Sequence, residues 1–247
     1  MVAERRPRIY LPRRLSAGEH YTLTGDQHRH LSRVLRLKAG AELTLFDGMG
    51  GEYAATIEEV RRAASRVRTG DYRDVDNESP LHVRLAQGVG RGERTDYAIQ
   101  KAVELSVTSI VPFLTRRGVV RLDAQRAQRR LAHWRGIIVH ACQQCGRNTI
   151  PELCTIVALE EWLREYECGG LDLILDPNSS TSIGDLEYGG GLVTILVGPE
   201  GGLDTDEREA ACGVGFRGVS LGPRTLRTET AAVARVTAVQ LHWGDLK

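Results

Sequence analysis

The sequence is poor in aromatic side chains, at 5% of 247 residues, holds only two methionines, and has almost no surplus charge, with 33 Lys+Arg against 32 Asp+Glu. Its longest apolar runs, such as Leu192 to Val197, are strand-length and far below the roughly 18–20 residues that cross a bilayer as a helix. The five cysteines, at 142, 145, 154, 168 and 212, are odd in number and scattered, which gives no disulfide framework. The N-terminus runs Arg5, Arg6, Pro7, Arg8 with no apolar stretch behind it, so no secretory signal is read. These absences predict free thiols in a reducing, cytoplasmic compartment and no membrane role. With 41% apolar and 26% charged residues, the chain can still build one large or two modest cores, which excludes a disordered tail or a collagen-like fibre.

A net charge of +1 argues at first against a nucleic-acid partner. The total, however, is a sum of opposed blocks. Residues 1–38 carry nine basic residues against three acids, residues 116–147 carry eight arginines against Asp123 alone, and residues 151–215 carry fourteen acids against Arg164 and Arg208. Two separated Arg-rich stretches fit a polyanion touched at two places.

Organisation changes near residue 75. Before it, Thr22 to Leu23, Glu42 to Phe46 and Glu52 to Glu58 read as short strands, with Asp47-Gly48 and Gly50-Gly51 as turn chemistry. One helix, from about Gln27 to Leu35, sets Leu31, Val34 and Leu35 on one face and His and Arg on the other. This predicts a small β-barrel domain over 1–75, followed by a polar linker ending at Pro80. Beyond it, strand-like runs at 81–87, 109–114, 171–175, 192–197 and 216–221 alternate with helical patterns at 93–106, 123–143, 158–166, 204–212 and 228–243. That alternation predicts an α/β domain over 76–247, a parallel sheet with helices on both faces.

Several motifs point nowhere. Gly88-x-Gly90-x-Gly92 has the wrong spacing for a dinucleotide loop, and no acid ends the next strand. Cys142-Gln-Gln-Cys145 lacks the second ligand pair a structural zinc needs, and it ends a helix where a thioredoxin-like pair would begin one. No metal is expected, and no G-x-S-x-G elbow is present. Two stretches carry more. Gly198-Pro-Glu200-Gly201-Gly202 follows a strand and precedes a helix start at Asp204, and Leu221-Gly222-Pro223-Arg224 leads into Leu226-Arg227-Thr228-Glu229, where Thr228 suits an N-cap region. Such glycines let a ligand approach the backbone at the carboxyl end of a parallel strand.

Together with the helix-opening string over 88–105, Ala141-Cys-Gln-Gln-Cys-Gly-Arg-Asn148, and the N-terminal patterns over 30–40 and 46–48, these strings resemble the RsmE family. Members of that family are 16S ribosomal RNA uridine N3-methyltransferases of the SPOUT class, acting in the decoding region of the small subunit. The resemblance spans nearly the whole chain. It implies a PUA-like N-terminal domain that grips rRNA, a C-terminal trefoil knot, a homodimer, and S-adenosylmethionine as cofactor. It places cofactor contacts at Leu196, Gly198, Pro199, Gly201, Leu221, Gly222 and Leu226, and RNA contacts at Arg8, Arg29, Arg33, Arg36 and Lys38. The N3 proton of uridine must leave before methylation and charge then spreads onto the flanking carbonyls, so a base and a cation are needed. The residues expected in those roles are Arg227, Glu229 and Arg147, with Arg224 as an alternative second cation. Two other readings stay open: a knotted methyltransferase acting on tRNA or on a ribose 2′-oxygen, and a non-catalytic ribosome-assembly protein.

Overall fold

The computed structural model describes residues 6–118, 122–176 and 179–247. Arg5 and Arg121, counted above in the two basic stretches, lie outside the described residues. The chain forms two compact units, Met1–Glu78 with Cys142–Ile150, and Ser79–Ala141 with Pro151–Lys247. The sequence reading cuts the chain once, near residue 75, and does not foresee the return of Cys142–Ile150 to the first unit.

In the first unit β1 (Arg8–Tyr10), β2 (His20–Leu23), α1 (Gly25–Arg29), β3 (Glu42–Phe46), β4 (Glu52–Val60) and β5 (Ser65–Arg73) follow in order. The small β domain is a five-stranded sheet in the order β1-β3-β4-β5-β2, with β1 parallel to β3 and the other pairs antiparallel. In β5 the side chains of Ser65, Val67 and Thr69 point inward while Arg66 and Arg68 face solvent. Only one of the inward residues is a large apolar one, which is why composition does not reveal this strand. Leu23, Leu31, Leu43, Leu45, Ile57 and Val67 are shielded from solvent in the core. The expected helix is present but not uniform, for α1 continues as a π-helical turn over His30–Val34. Its end is closed by Leu37 N–H donating to Leu31 O at 3.0 Å, with Arg36 at φ +53°, the left-handed position that glycine usually fills.

The second unit contains β6 (Val83–Gly88), α2 (Arg94–Glu104), β7 (Ser109–Leu114), α3 (Ala124–Cys145), β8 (Glu152–Leu153), β9 (Val157–Ala158), α4 (Leu159–Arg164), β10 (Gly170–Leu175), β11 (Leu192–Val197), α5 (Thr205–Gly213), β12 (Arg217–Val219) and α6 (Thr228–Trp243). Its sheet runs β12-β10-β11-β6-β7-β8, with β9 also on β7, and its ladders are parallel. A parallel sheet buried on both faces reads as unbroken apolar runs, which made these strands legible. α2 and α6 pack on one another and on β6, and α6 also on β11. On the opposite face Leu159 and Leu163 of α4, Ala211 of α5, and Phe216 join Ala86, Ile174 and Leu196 in one core cluster. β6 has β7 on one side and β11 on the other. The chain leaves β6 in one direction and later returns on its other side, and such a switch point opens a crevice beyond the strand ends.

Candidate active site

Three strand ends run into turns at this crevice: β6 into 89–93, β11 into 198–204, and β12 into 220–227. At Gly88 the approach of backbone is so close that glycine is required, while at Gly90 a side chain would displace only the Glu200 carboxylate. A Cβ on Gly88 would sit 2.4 Å from Pro199 N and 2.8 Å from Gly198 C, and one on Gly90 would sit 2.5 Å from a Glu200 carboxylate oxygen. Gly201 differs, for nothing lies within 4 Å of the place its Cβ would take. No neighbour in the chain itself calls for glycine there.

Side chains stitch the turns together. Gln87, fully buried, donates from Nε2 to Gly88 O and to Thr228 Oγ1, both at 3.0 Å. Thr228 Oγ1 in turn donates to Gly198 O at 2.6 Å, which fastens the start of α6 to the other two turns. The N-cap of α6 is Arg227, whose guanidinium has no acceptor to cap with, and the hydroxyl of Thr228 beside it donates to Gly198. α5 does start on the expected Asp204, whose capping box with Glu207 has both bonds at 2.9 Å.

Against the second and third turns lies a cavity of about 390 Å³, in the size range of small-molecule sites. Leu175, Val197, Leu203, Leu226 and Ala231 give it apolar walls, while Arg94, Arg208, Arg227 and Glu200 bring charge. Of the residues expected at the cofactor, Gly198, Pro199 and Leu226 line this cavity. Leu196 sits two residues back with its side chain buried in the core. Gly201 is exposed in the second turn, and Leu221 and Gly222 belong to the third turn outside the lining.

Arg227 lines the cavity, and Glu229 follows the lining residue Thr228 without itself belonging to the lining. Glu229 Oε1 is 4.0 Å from Arg94 Nε, and its Oε2 is buried with no hydrogen-bond partner. Arg94 Nη1 is 3.3 Å from Glu200 Oε1, an oxygen that also accepts the Arg91 N–H at 3.0 Å. Arg208 is held by Asp176 at 2.7 Å. The sequence reading missed Gln87, Arg94 and Arg208. The one local signal was a polar Gln87 just before the glycine that ends β6.

Two expected residues are placed elsewhere. Arg147 lies in the first unit, its side chain 4% exposed, with Nε and Nη2 each 2.6 Å from Glu78 Oε2. Arg8, in the same unit, is bonded to Glu52, to Asn148 Oδ1 and to Arg147 O, with its guanidinium 4.8 Å from the Phe46 ring centroid. Both cations close a buried network rather than an open face, and pulling one out would leave its carboxylate buried and unpaired. Arg29, Arg33, Arg36 and Lys38 are exposed. Arg29 pairs with Asp26, and the other three make no ion pair among the described residues. In the second basic stretch Arg116 is tied to Glu160 and Asp206, whereas Arg126, Arg129 and Arg135 of α3 are exposed. Burial pushes the Cys142 thiol up to about 12, and among the described residues no cluster of His, Cys, Asp or Glu is placed to hold a metal.

A family model described as an RNA methyltransferase domain matches residues 77–240, and one described as an RNA methyltransferase PUA domain matches residues 23–64. The crevice thus belongs to an RNA methyltransferase domain accompanied by a PUA module. Ribosomal RNA small subunit methyltransferase E of Buchnera aphidicola subsp. Acyrthosiphon pisum is 30% identical over 241 residues, covering 98% of this chain and 95% of its own. The Bacillus subtilis protein of the same name is 27% identical, covering 89% of each chain. The crystal structure of ribosomal RNA small subunit methyltransferase E from Neisseria gonorrhoeae bound to S-adenosyl methionine matches with a TM-score of 0.94 at 40% identity, over 98% of this chain and 100% of that one. The chain belongs to the ribosomal RNA small subunit methyltransferase E family.

Proposed function

We propose that this protein methylates N3 of a uridine in the 16S rRNA of the small ribosomal subunit, with S-adenosylmethionine as the methyl donor, in the cytoplasm and as a homodimer. The observation that carries the reading is the cavity between the glycine turns, in a chain of this family. Its residues suit the cofactor: apolar walls from Leu175, Val197, Leu203 and Leu226 for an adenosine, exposed backbone at Gly201 and Gly222 for its polar edges, and no Cβ at Gly201 to block close approach. When bound, S-adenosylmethionine supplies a methyl group on a sulfonium and departs as a neutral thioether.

The remaining work falls to the chain. Uridine N3 is a poor nucleophile while protonated, so a proton acceptor is needed, and Glu229, a partly exposed carboxylate next to the lining residue Thr228, is the group suited to it. Arg227 lines the same cavity and offers positive charge to the carbonyls that flank N3. In the PUA-bearing unit Arg33, Arg36 and Lys38 are open cations suited to RNA phosphates, and Arg29, exposed but paired with Asp26, stands beside them in sequence. The trefoil knot is supported by the path of the chain, since α6 follows the edge strand β12 yet packs on α2 and β6, beyond β10 and β11.

The test is mass spectrometry of 16S rRNA nucleosides from a strain lacking the gene. We expect 3-methyluridine to vanish and to return with the intact gene. Undiminished 3-methyluridine in that strain would sink the proposal.

A further inference from the structure

Glu229 and Arg227 are the charged residues that the sequence singles out at the third turn, yet a further charged group stands at the cavity between two carboxylates: Arg94, the first residue of α2. It lines the cavity and its side chain is 43% exposed. Two carboxylates flank it, one from the second turn and one from the first turn of α6: Glu200 at 3.3 Å from Nη1 and Glu229 at 4.0 Å from Nε. Glu200 is itself fixed by the Arg91 N–H, and the absence of a Cβ at Gly90 is what leaves room for its carboxylate. A guanidinium has five donors in a rigid fork. These contacts engage Nη1 and Nε, while Nη2 makes no hydrogen bond among the described residues.

We infer that Arg94 is a catalytic cation of this site: its free edge donates to a carbonyl oxygen flanking the target N3, while Glu200 acts through it as a positioning residue. The inference rests on the uridine-N3 reading. An Arg94 donor beside a Glu229 acceptor is complementary to the carbonyl and N3–H of uracil. Cytosine N3 carries no proton, so it offers the Glu229 acceptor no donor. In the step itself the N3 proton passes to the Glu229 carboxylate, the N3 electron pair forms the new N–C bond, and the C–S bonding pair stays on sulfur. The negative charge that builds on the uracil carbonyls in between meets the guanidinium.

The experiment compares the wild type with Arg94→Ala, Arg94→Lys, Glu200→Gln and the Arg94→Ala/Glu200→Gln double variant, using unmethylated small-subunit particles. Single-turnover rates are taken from neutral to alkaline pH, and S-adenosylmethionine affinity and thermal unfolding are measured alongside. Loss of one donor to a developing oxyanion costs on the order of 10²–10³ in rate, and we expect a fall of that order for Arg94→Ala near neutral pH. Without the nearby cation the bound uracil ionises at higher pH, so the deficit should narrow toward alkaline pH. Arg94→Lys should recover part of the rate because it keeps the charge and loses the fork. Glu200→Gln should slow the enzyme less, and the double variant should be no slower than Arg94→Ala. Cofactor affinity should stay within about two-fold throughout, since one RT-scale change is small beside the rate loss. A loss equal at every pH, a rate matching the wild type, or a loss explained by cofactor affinity or unfolding would overturn the inference alone. A wild-type methyl group found on any atom other than uridine N3 would overturn the uridine reading and this inference with it.

Discussion

Gly88, at the end of β6, and Gly201, in the second turn, are glycines for different physical reasons. At Gly88 the obstacle is the protein's own backbone, with Pro199 N 2.4 Å from the would-be Cβ, whereas at Gly201 that position is open. Gly88→Ala should therefore destabilise the fold by about 1–3 kcal/mol, as overpacking does, visible as a lowered Tm without any ligand. Gly201→Ala should leave Tm unchanged and weaken S-adenosylmethionine in calorimetry by ten-fold or more, about 1.4 kcal/mol. Unchanged affinity would remove Gly201 from the cofactor site. Gly198 is a poorer probe than the sequence suggests, because its Cβ would already lie 3.3 Å from Gly202 C and from Leu203 Cγ. The glycine turns were legible because their spacing is local. Arg94 was not, since the partners that give it meaning lie at Glu200 and Glu229, more than a hundred positions away in sequence. For Arg8 and Arg147 the mirror reason holds: composition shows an arginine but not the Glu52 or Glu78 that pairs with it.

Among the elements, those of the parallel sheet were read almost to their ends, because strands buried on both faces and helices with an apolar stripe carry their period in their own residues. The two-residue strands β8 and β9 are too short to carry a period, and β5 shows a row of arginines on its outer side. What no period could show is how α6 begins. Thr228 has the composition of a cap, yet its hydroxyl spans to Gly198 O and receives Gln87 Nε2. The near-isosteric Thr228→Val removes both bonds and strands a buried amide donor, which costs about 1–3 kcal/mol. Chemical denaturation should show that loss, and cofactor affinity should fall with it because the second and third turns lose their tie. A variant as stable as the wild type would mean that the stitch does not hold the turns.

For the whole molecule, the near-zero net charge conceals how the charges are spent. Arg116 is neutralised by Glu160 and Asp206, while Arg33, Arg36 and Lys38 stay open beside a π-helical turn and a left-handed Arg36. Replacing Arg33 and Arg36 together by glutamate should weaken binding to small-subunit particles and flatten the slope of log affinity against log salt by roughly 1.5–2, the share of two phosphate contacts. Cofactor affinity should not change. An unaltered slope would direct attention instead to Arg126, Arg129 and Arg135 of α3. The stitch between Gln87 and Thr228 also has a consequence for the timing of activity. Its two ends are 141 residues apart, and the second partner belongs to the last helix of the chain. A nascent polypeptide emerging from the ribosome can form most of the sheet before Thr228 has been synthesised, but the crevice cannot be closed. Competence for methyl transfer therefore cannot precede the synthesis of Thr228, and a product that stops short of it lacks the tie between the second and third turns.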